Sequence, residues 1–242
     1  MYTSILDEDE EVKPLRWVGS AQRNLRGFPK EVHRDVGYAL FAAQKGETDP
    51  AATPLKGFGG RSVMEIVTPF DGNAWRTVYT VRFRGVVYVL HAFQKKSKSR
   101  IATPKSEIDL IHRRLAAAER HYTKKGRADM KAKSKTPTAD RVVAGSGNVF
   151  ADLGLADADQ ELMKARLTLR IARIIKERGL TQAQAAKILG VHQPHVSALA
   201  RNRAGIFSVG RLMEFLTALG QDVEITVRAA RKHHGAMSVV FV

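Results

Sequence analysis

Three short segments, SVMEIVTPF from Ser62, AWRTVYTVRF from Ala74 and VVYVLHAF from Val86, alternate with a period of two and are joined only by the turn signals DGN and RG. That period places successive side chains on opposite faces of a strand. Connections this short cannot carry the chain to a parallel neighbour, so the three segments predict an antiparallel meander. Around it the period is helical. KEVHRDVGYALFAAQKG aligns Val32, Val36, Ala39, Leu40 and Ala43 on one stripe between Pro29 and Gly46. From Thr103-Pro104 to about Tyr122 a second helix turns Ile108, Ile111 or His112, Leu115 and Ala118 inward. Val12 to Val18 reads as a short first strand.

Beyond this half the pattern changes. KKGRADMKAKSKTPTADRVVAGSG is polar, cationic and rich in Gly, Ser, Thr and Lys, and reads as a linker. After it DADQELMKARLTLRIARIIKERG carries Leu162, Ala165, Leu169, Ala172 and Ile175 on one face and closes at Gly179. Thr181 and Gln184 form a capping box for TQAQAAKIL, which Gly190 ends. A third helix spans about Gln193 to Arg201, and SVGRLMEFLTALG runs as a fourth from Ser208 to Gly220. DVEITVR and MSVVFV alternate like strands around a polar KHHG turn, which predicts a small hairpin or a dimer edge. The expected organisation is an acidic tail over 1–11, an α+β domain over 12–123, a flexible linker over 124–147 and a mainly helical domain with a short C-terminal β-hairpin over 148–242.

Charge narrows the partners. Lys and Arg number 40 against 24 Asp and Glu, a formal +16, and the surplus is shared by the residues before and after Met130. A chain basic throughout favours a polyanion such as nucleic acid or the ribosome over an acidic small molecule. The absence of cysteine excludes disulfides, thiolate nucleophiles and cysteine-rich zinc sites, and fits a reducing cytoplasm. The N-terminal DEDEE and the shortness of the longest apolar run argue against a secretory signal or membrane anchor. His233-His234 is too isolated for a metal site and reads as a turn, so no metal or cofactor is expected.

LTQAQAAKILGVHQPHVSALAR has the physical marks of a helix-turn-helix. Ala186 is small where two helices cross, Gly190 permits a positive-φ turn, and Ile188, Leu189, Val196 and Leu199 lock the pair onto a core. The second helix then presents Gln193, His195, Ser197 and Arg201 to base edges and phosphates in a major groove. Gln182 and Arg203 read as phosphate positioners. His192 stands at the cap of that helix, where Ser would cap better. With NVFADLGL, KERGLTQ, LGVHQPHVS, FSVGRLMEFLTALG and DVEI, residues 147–228 resemble an XRE-family antitoxin of the HigA type. The resemblance implies a dimer that binds a partner toxin and represses its own operon.

The first half carries a second set of motifs. PLKGFGG, MEIV, AWRTVYTV, VVYVLHAFQKKSK and TPKSEIDLIHRRLAAAERHY, over about residues 12–122, resemble the HigB branch of the RelE superfamily. What this implies is a small antiparallel sheet with flanking helices that enters the ribosome and cuts mRNA without a metal. A ribose 2′-hydroxyl would attack the adjacent phosphate, which needs a proton acceptor, cations for the five-coordinate phosphate and a donor for the leaving oxygen. Arg76 and Lys95 are the expected transition-state cations, and Lys56, Arg82, Arg84, Lys96 and Lys98 the RNA or ribosome contacts. His91 reads either as the acid or base or as a bonded core histidine, and Arg76 has the alternative of pairing with Glu65 across the sheet. Many relatives carry Arg directly after the strand Glu, where this chain has Ile66, and Arg82 or Arg61 could replace it.

The expectation is thus a toxin and antitoxin in one chain: a ribosome-dependent endoribonuclease neutralised, within or between molecules, by a linked repressor that binds operator DNA. The alternative is a transcriptional repressor whose toxin-like half is a catalytically dead interaction module.

Overall fold

A computed structural model describes residues 12–60, 62–95, 103–127, 140–201, 203–229 and 237–241. The basic residues Arg61, Lys96, Lys98 and Arg100, and the pair His233-His234, lie outside the described residues. The chain divides into two compact units, one from Val12 to Leu155 and one from Ala156 onward.

The first unit is built on a six-stranded sheet. Its strands are β1 (Leu15–Val18), β2 (Ala52–Pro54), β3 (Val63–Phe70), β4 (Asn73–Thr80), β5 (Val87–Lys95) and β6 (Val142–Ala144), in the order β2-β3-β4-β5-β1-β6. The expected meander is β3-β4-β5, antiparallel throughout. β1 joins β5 in parallel, which the long connection between them, two helices and then β2 to β4, allows. One sheet face carries α1 (Ala21–Arg26) and α2 (Lys30–Gln44), where Phe28 meets Trp75 with ring centroids 4.7 Å apart and Asn24 bonds the Ala92 carbonyl. All five stripe residues of α2 are buried. The other face packs against α3 (Lys105–Arg127) through Val63, Val78, Tyr88, Leu90, Ile111 and Ala118. Between the two candidates for the inward position of α3, Ile111 is fully buried and His112 is exposed.

The stretch expected as a linker is partly structured. α3 continues to Arg127, and Val142–Ala144 pairs antiparallel with β1. A short helix α4 (Val149–Asp152) follows within the same unit. The boundary between units therefore falls at Leu155 and not near residue 148.

The second unit is helical: α5 (Ala158–Glu177), α6 (Gln182–Leu189), α7 (Gln193–Ala200), a 3₁₀ turn at Ala204–Ile206 and α8 (Val209–Ala218). The buried side of α5 runs through Met163, Leu167, Ile171 and Ile174 as well as Ala165 and Leu169, while Leu162, Ala172 and Ile175 are half-buried. An arc wider than one stripe is what a central bundle helix presents to several neighbours. Among the described residues of the expected C-terminal hairpin, 221–229 and 237–241, none lies in a strand. Ile225, Val227, Met237 and Val240 stand exposed, so alternation was present without a neighbouring strand to pair it.

Candidate catalytic face and DNA-binding surface

On the α3 side of the sheet, register decides which side chains meet. Arg76 stands opposite Phe93, Ala74 opposite Lys95 and Val78 opposite His91. Directly paired residues of antiparallel strands share a face, so Arg76, His91, Phe93 and Lys95 point to the same side. Glu65 of β3 opposes Val78 and joins them. Arg76 Nη1 donates to Glu65 Oε2 at 2.6 Å, with the two side chains only 17% and 9% exposed. Glu65 Oε1 and Arg76 Nε are buried without a partner among the described residues. A buried ion pair with one acceptor and one donor left over is an arrangement that a ligand bearing both complements could complete.

His91 lies deeper, at 4% exposure, beside a break in register where β5 holds one extra residue against Val78 and Tyr79. Arg114 of α3 donates through Nη1 to His91 Nδ1 and to the Leu90 carbonyl, both at 2.9 Å, and through Nη2 to Ser20 Oγ at 2.7 Å. A guanidinium has only donors, so Nδ1 is the acceptor and the ring proton sits on Nε2, which donates to Glu107 Oε2 at 2.6 Å. Burial lowers the imidazole pKa, and the Arg114 charge adds to that, against the raising influence of Glu107. A proton leaving Nε2 is therefore directed at Glu107, not at a ligand beside Arg76. The ring also stacks on Phe93, centroids 5.1 Å apart.

The remaining cations do not gather at Lys95. β4 ends at Thr80, so Arg82 and Arg84 lie in the loop before β5, and Lys56 lies in the glycine-rich loop before β3. All three are exposed, at the Thr80 end of β4, whereas Lys95 pairs with Ala74 at the other end, about 20 Å away at the rise of a strand. Arg82 makes a loose exposed pair with Glu119 at 3.7 Å. Strand alternation cannot carry beyond the last paired residue, and here Gly85 at φ 73° turns the chain while Phe83 folds into the core. Trp75 and Tyr79 point to the opposite face, and the Tyr79 hydroxyl pKa is pushed up by burial.

In the second unit, the Thr181 hydroxyl accepts from Gln184 N at 3.2 Å while Gln184 Oε1 accepts from Thr181 N at 2.9 Å, completing the capping box of α6. Gly190 takes the left-handed conformation at φ 63°. The small buried residue of α6 is Ala185, and Ala186 is half-buried. Leu189, Val196 and Leu199 are buried as expected, but Ile188 is 40% exposed. His192 caps α7 without a side-chain hydrogen bond. Gln193, His195 and Arg201 are exposed, Ser197 is half-buried, and Gln182 and Arg203 are exposed beside them. Gln193 Nε2 donates to Gln182 Oε1 at 3.3 Å, so the two helix starts present a linked pair of amides. His195 meets Phe207 edge-on at 5.7 Å, which leans its ring toward the 3₁₀ turn.

Residues 149–228 match the family described as "Helix-turn-helix domain". A solved structure named "Putative XRE Family Transcriptional Regulator" shares 42% sequence identity, over 36% of this chain and 97% of that chain, with a TM-score of 0.32. The second half of the chain belongs to the XRE family of helix-turn-helix proteins. In helix-turn-helix proteins the second helix of the motif, here α7, is the one that lies in the major groove. Residues 23–116 match the family described as "Phage derived protein Gp49-like". No curated protein matches the chain. The helix-turn-helix match thus follows the Gp49-like one, and among the described residues no helix is long and apolar enough to cross a membrane.

Proposed function

We propose that the chain is a toxin and antitoxin module in one polypeptide, in which the first unit is a ribosome-dependent endoribonuclease of the HigB and RelE kind and the second an operator-binding, autoregulating repressor of the HigA kind. The observation that carries the catalytic half is the Glu65–Arg76 pair with its unpartnered Oε1 and Nε. Glu65 Oε1 would accept the proton of the attacking 2′-hydroxyl, and the Arg76 guanidinium would hold the phosphate as its negative charge grows. Lys95, on the same face, is the second cation. His91, turned toward Glu107 and Arg114, positions Phe93 and the start of α3. Lys56, Arg82 and Arg84 at the far end of the sheet are contacts to RNA outside the cleaved linkage.

For the second half, the carrying observation is the paired amides of Gln182 and Gln193 at the exposed start of α7. XRE repressors work as dimers on paired half-sites, and a transcription regulator that dimerises on its own upstream DNA is the reading this surface supports.

A growth assay tests the pair of roles. Expression of residues 12–155 is expected to arrest growth and the intact chain not to, with the arrest abolished by Glu65→Gln or Arg76→Ala. A first unit that never arrests growth, alone or with the second unit weakened, would leave the reading of a pure repressor with a catalytically dead module.

A further inference from the structure

The loop between β2 and β3 is closed at its neck and pinned at its tip. Leu55 N donates to the Val63 carbonyl at 3.0 Å, and Ser62 Oγ donates to the Phe58 carbonyl at 2.8 Å. Between these bonds Gly57 and Gly59 take φ of 89° and 70°, the left-handed region in which other residues are strained. A Cβ added to either would meet no atom within 4 Å, so conformation and not crowding calls for glycine, and this side of the loop is open. Phe58 turns the other way. It is 8% exposed, belongs to the core between the sheet and α3, and lies flat against the His112 ring, with centroids 4.1 Å apart and planes at 21°.

His112 is exposed although one side of its ring rests on Phe58. Its nitrogens make no hydrogen bond among the described residues. The helix thus offers solvent a flat, polarisable ring backed by a rigid aromatic floor. Cations flank it. Lys56 stands two residues before Phe58 in the loop, and Arg113 follows His112 on the helix; both are exposed, and neither enters an ion pair among the described residues. About 10 Å further along α3 at the rise of a helix, Glu119 holds Arg82 of the next loop at 3.7 Å.

We propose that His112 is a stacking platform for an unpaired nucleobase of RNA, with Lys56 and Arg113 holding the phosphates on either side. An aromatic face among cations grips a single strand because stacking accepts any base while the charge follows the backbone. A base inside a duplex has no free face to offer, so the ligand is single-stranded. The platform rests on the reading of the first unit as RNA-binding, but not on cleavage. A first unit that never arrests growth would still hold the strand, so the growth assay and the binding assay fail separately.

The test mixes the full chain with a short RNA carrying 4-thiouridine, with duplex DNA in excess to occupy the α7 surface. Irradiation should give an adduct on the α3 peptide that contains His112. In fluorescence anisotropy, His112→Ala should bind the strand roughly 5- to 100-fold more weakly, and His112→Phe, which keeps the flat ring, should restore most of the affinity. A fully abasic strand of the same length should bind wild type and His112→Ala alike, whereas Lys56→Ala should weaken both strands by similar factors. Adducts found only elsewhere, His112→Ala binding as tightly as wild type, or His112→Phe binding as weakly as His112→Ala each overturn the platform. Repeating the crosslink on ribosomes, with the thiolated base in the messenger or in the ribosomal RNA, tells which strand is held; an adduct with neither overturns it.

Discussion

Arg114 donates to Nδ1 of His91 across the interface of α3 with β5, and by doing so it fixes the ring proton on Nε2. Protonating Nδ1 would turn that contact into a clash of two donors in a buried place. The imidazole pKa is accordingly lowered, chiefly by burial. In the unfolded chain it returns to the ordinary value of 6.5. The unfolded state therefore binds more protons in the window below that value, and stability falls as pH drops through it. Above the unfolded pKa the contribution is fully present. Thermal unfolding from pH 8 to pH 5 should show a declining midpoint, and His91→Gln, whose amide can supply the same donor and acceptor, should flatten part of that decline. His33, whose pKa burial lowers in the same way, contributes a residual slope.

Glu65→Gln keeps the size of the side chain and removes its charge. Proton acceptance by a positioned carboxylate is worth roughly 10²- to 10⁴-fold. Messenger cleavage on translating ribosomes by residues 12–155 should fall by about that factor, with the thermal midpoint changed little because Arg76 can still donate to the amide oxygen. Arg76→Ala should lose activity and also stability, on the order of 3 kcal/mol, since Glu65 is left buried and unpaired. Equal activity of wild type and Glu65→Gln would remove Glu65 from the reaction.

On the DNA side, Gln193 and Arg203 should fail differently. Gln193→Ala is expected to cost about 1–3 kcal/mol on the operator and almost nothing on unrelated DNA, because an amide reads base edges. Arg203→Ala should weaken both by similar factors and reduce the slope of log affinity against log salt by about one. Gel shifts on upstream DNA at two salt concentrations distinguish these patterns.

Gly37 sits inside α2, where Ala is ordinarily the better residue by about 1 kcal/mol. The Phe150 ring reverses that preference, because a methyl group would overlap it at 2.6 Å. Gly37→Ala should therefore destabilise the full chain by about 1–3 kcal/mol. Combined with Phe150→Leu the loss should be less than additive, as a denaturant double-mutant cycle would reveal.

Features that depend on near neighbours were legible in the sequence. The meander, the stripe of α2, the capping box at Thr181 and the turn at Gly190 follow from periodicity and from residues with one local role. Errors arose where the third dimension decides. Ala185 and Ala186 are equally small, and only the crossing of α6 with its neighbours shows which is buried. In the sequence Arg82 and Arg84 continue the alternation of Arg76, but strand pairing stops at Thr80 and the two leave that face. The sequence offers Glu65 as a cross-sheet partner of Arg76, and that pair forms, but the depth at which it is buried shows only in the packed sheet. Val142–Ala144 was invisible because three residues make a weak pattern and their partner strand begins more than a hundred positions earlier.

The Trp17 indole and the Asp152 carboxylate are separated by 135 positions in sequence. A ribosome has therefore almost reached the helix-turn-helix before β1 can be covered by its last neighbour. Until then the nascent chain carries an open sheet border, prone to pairing with other molecules. A messenger broken upstream of that point yields a product with its border uncovered, and quality-control proteases would meet it before any finished copy is released.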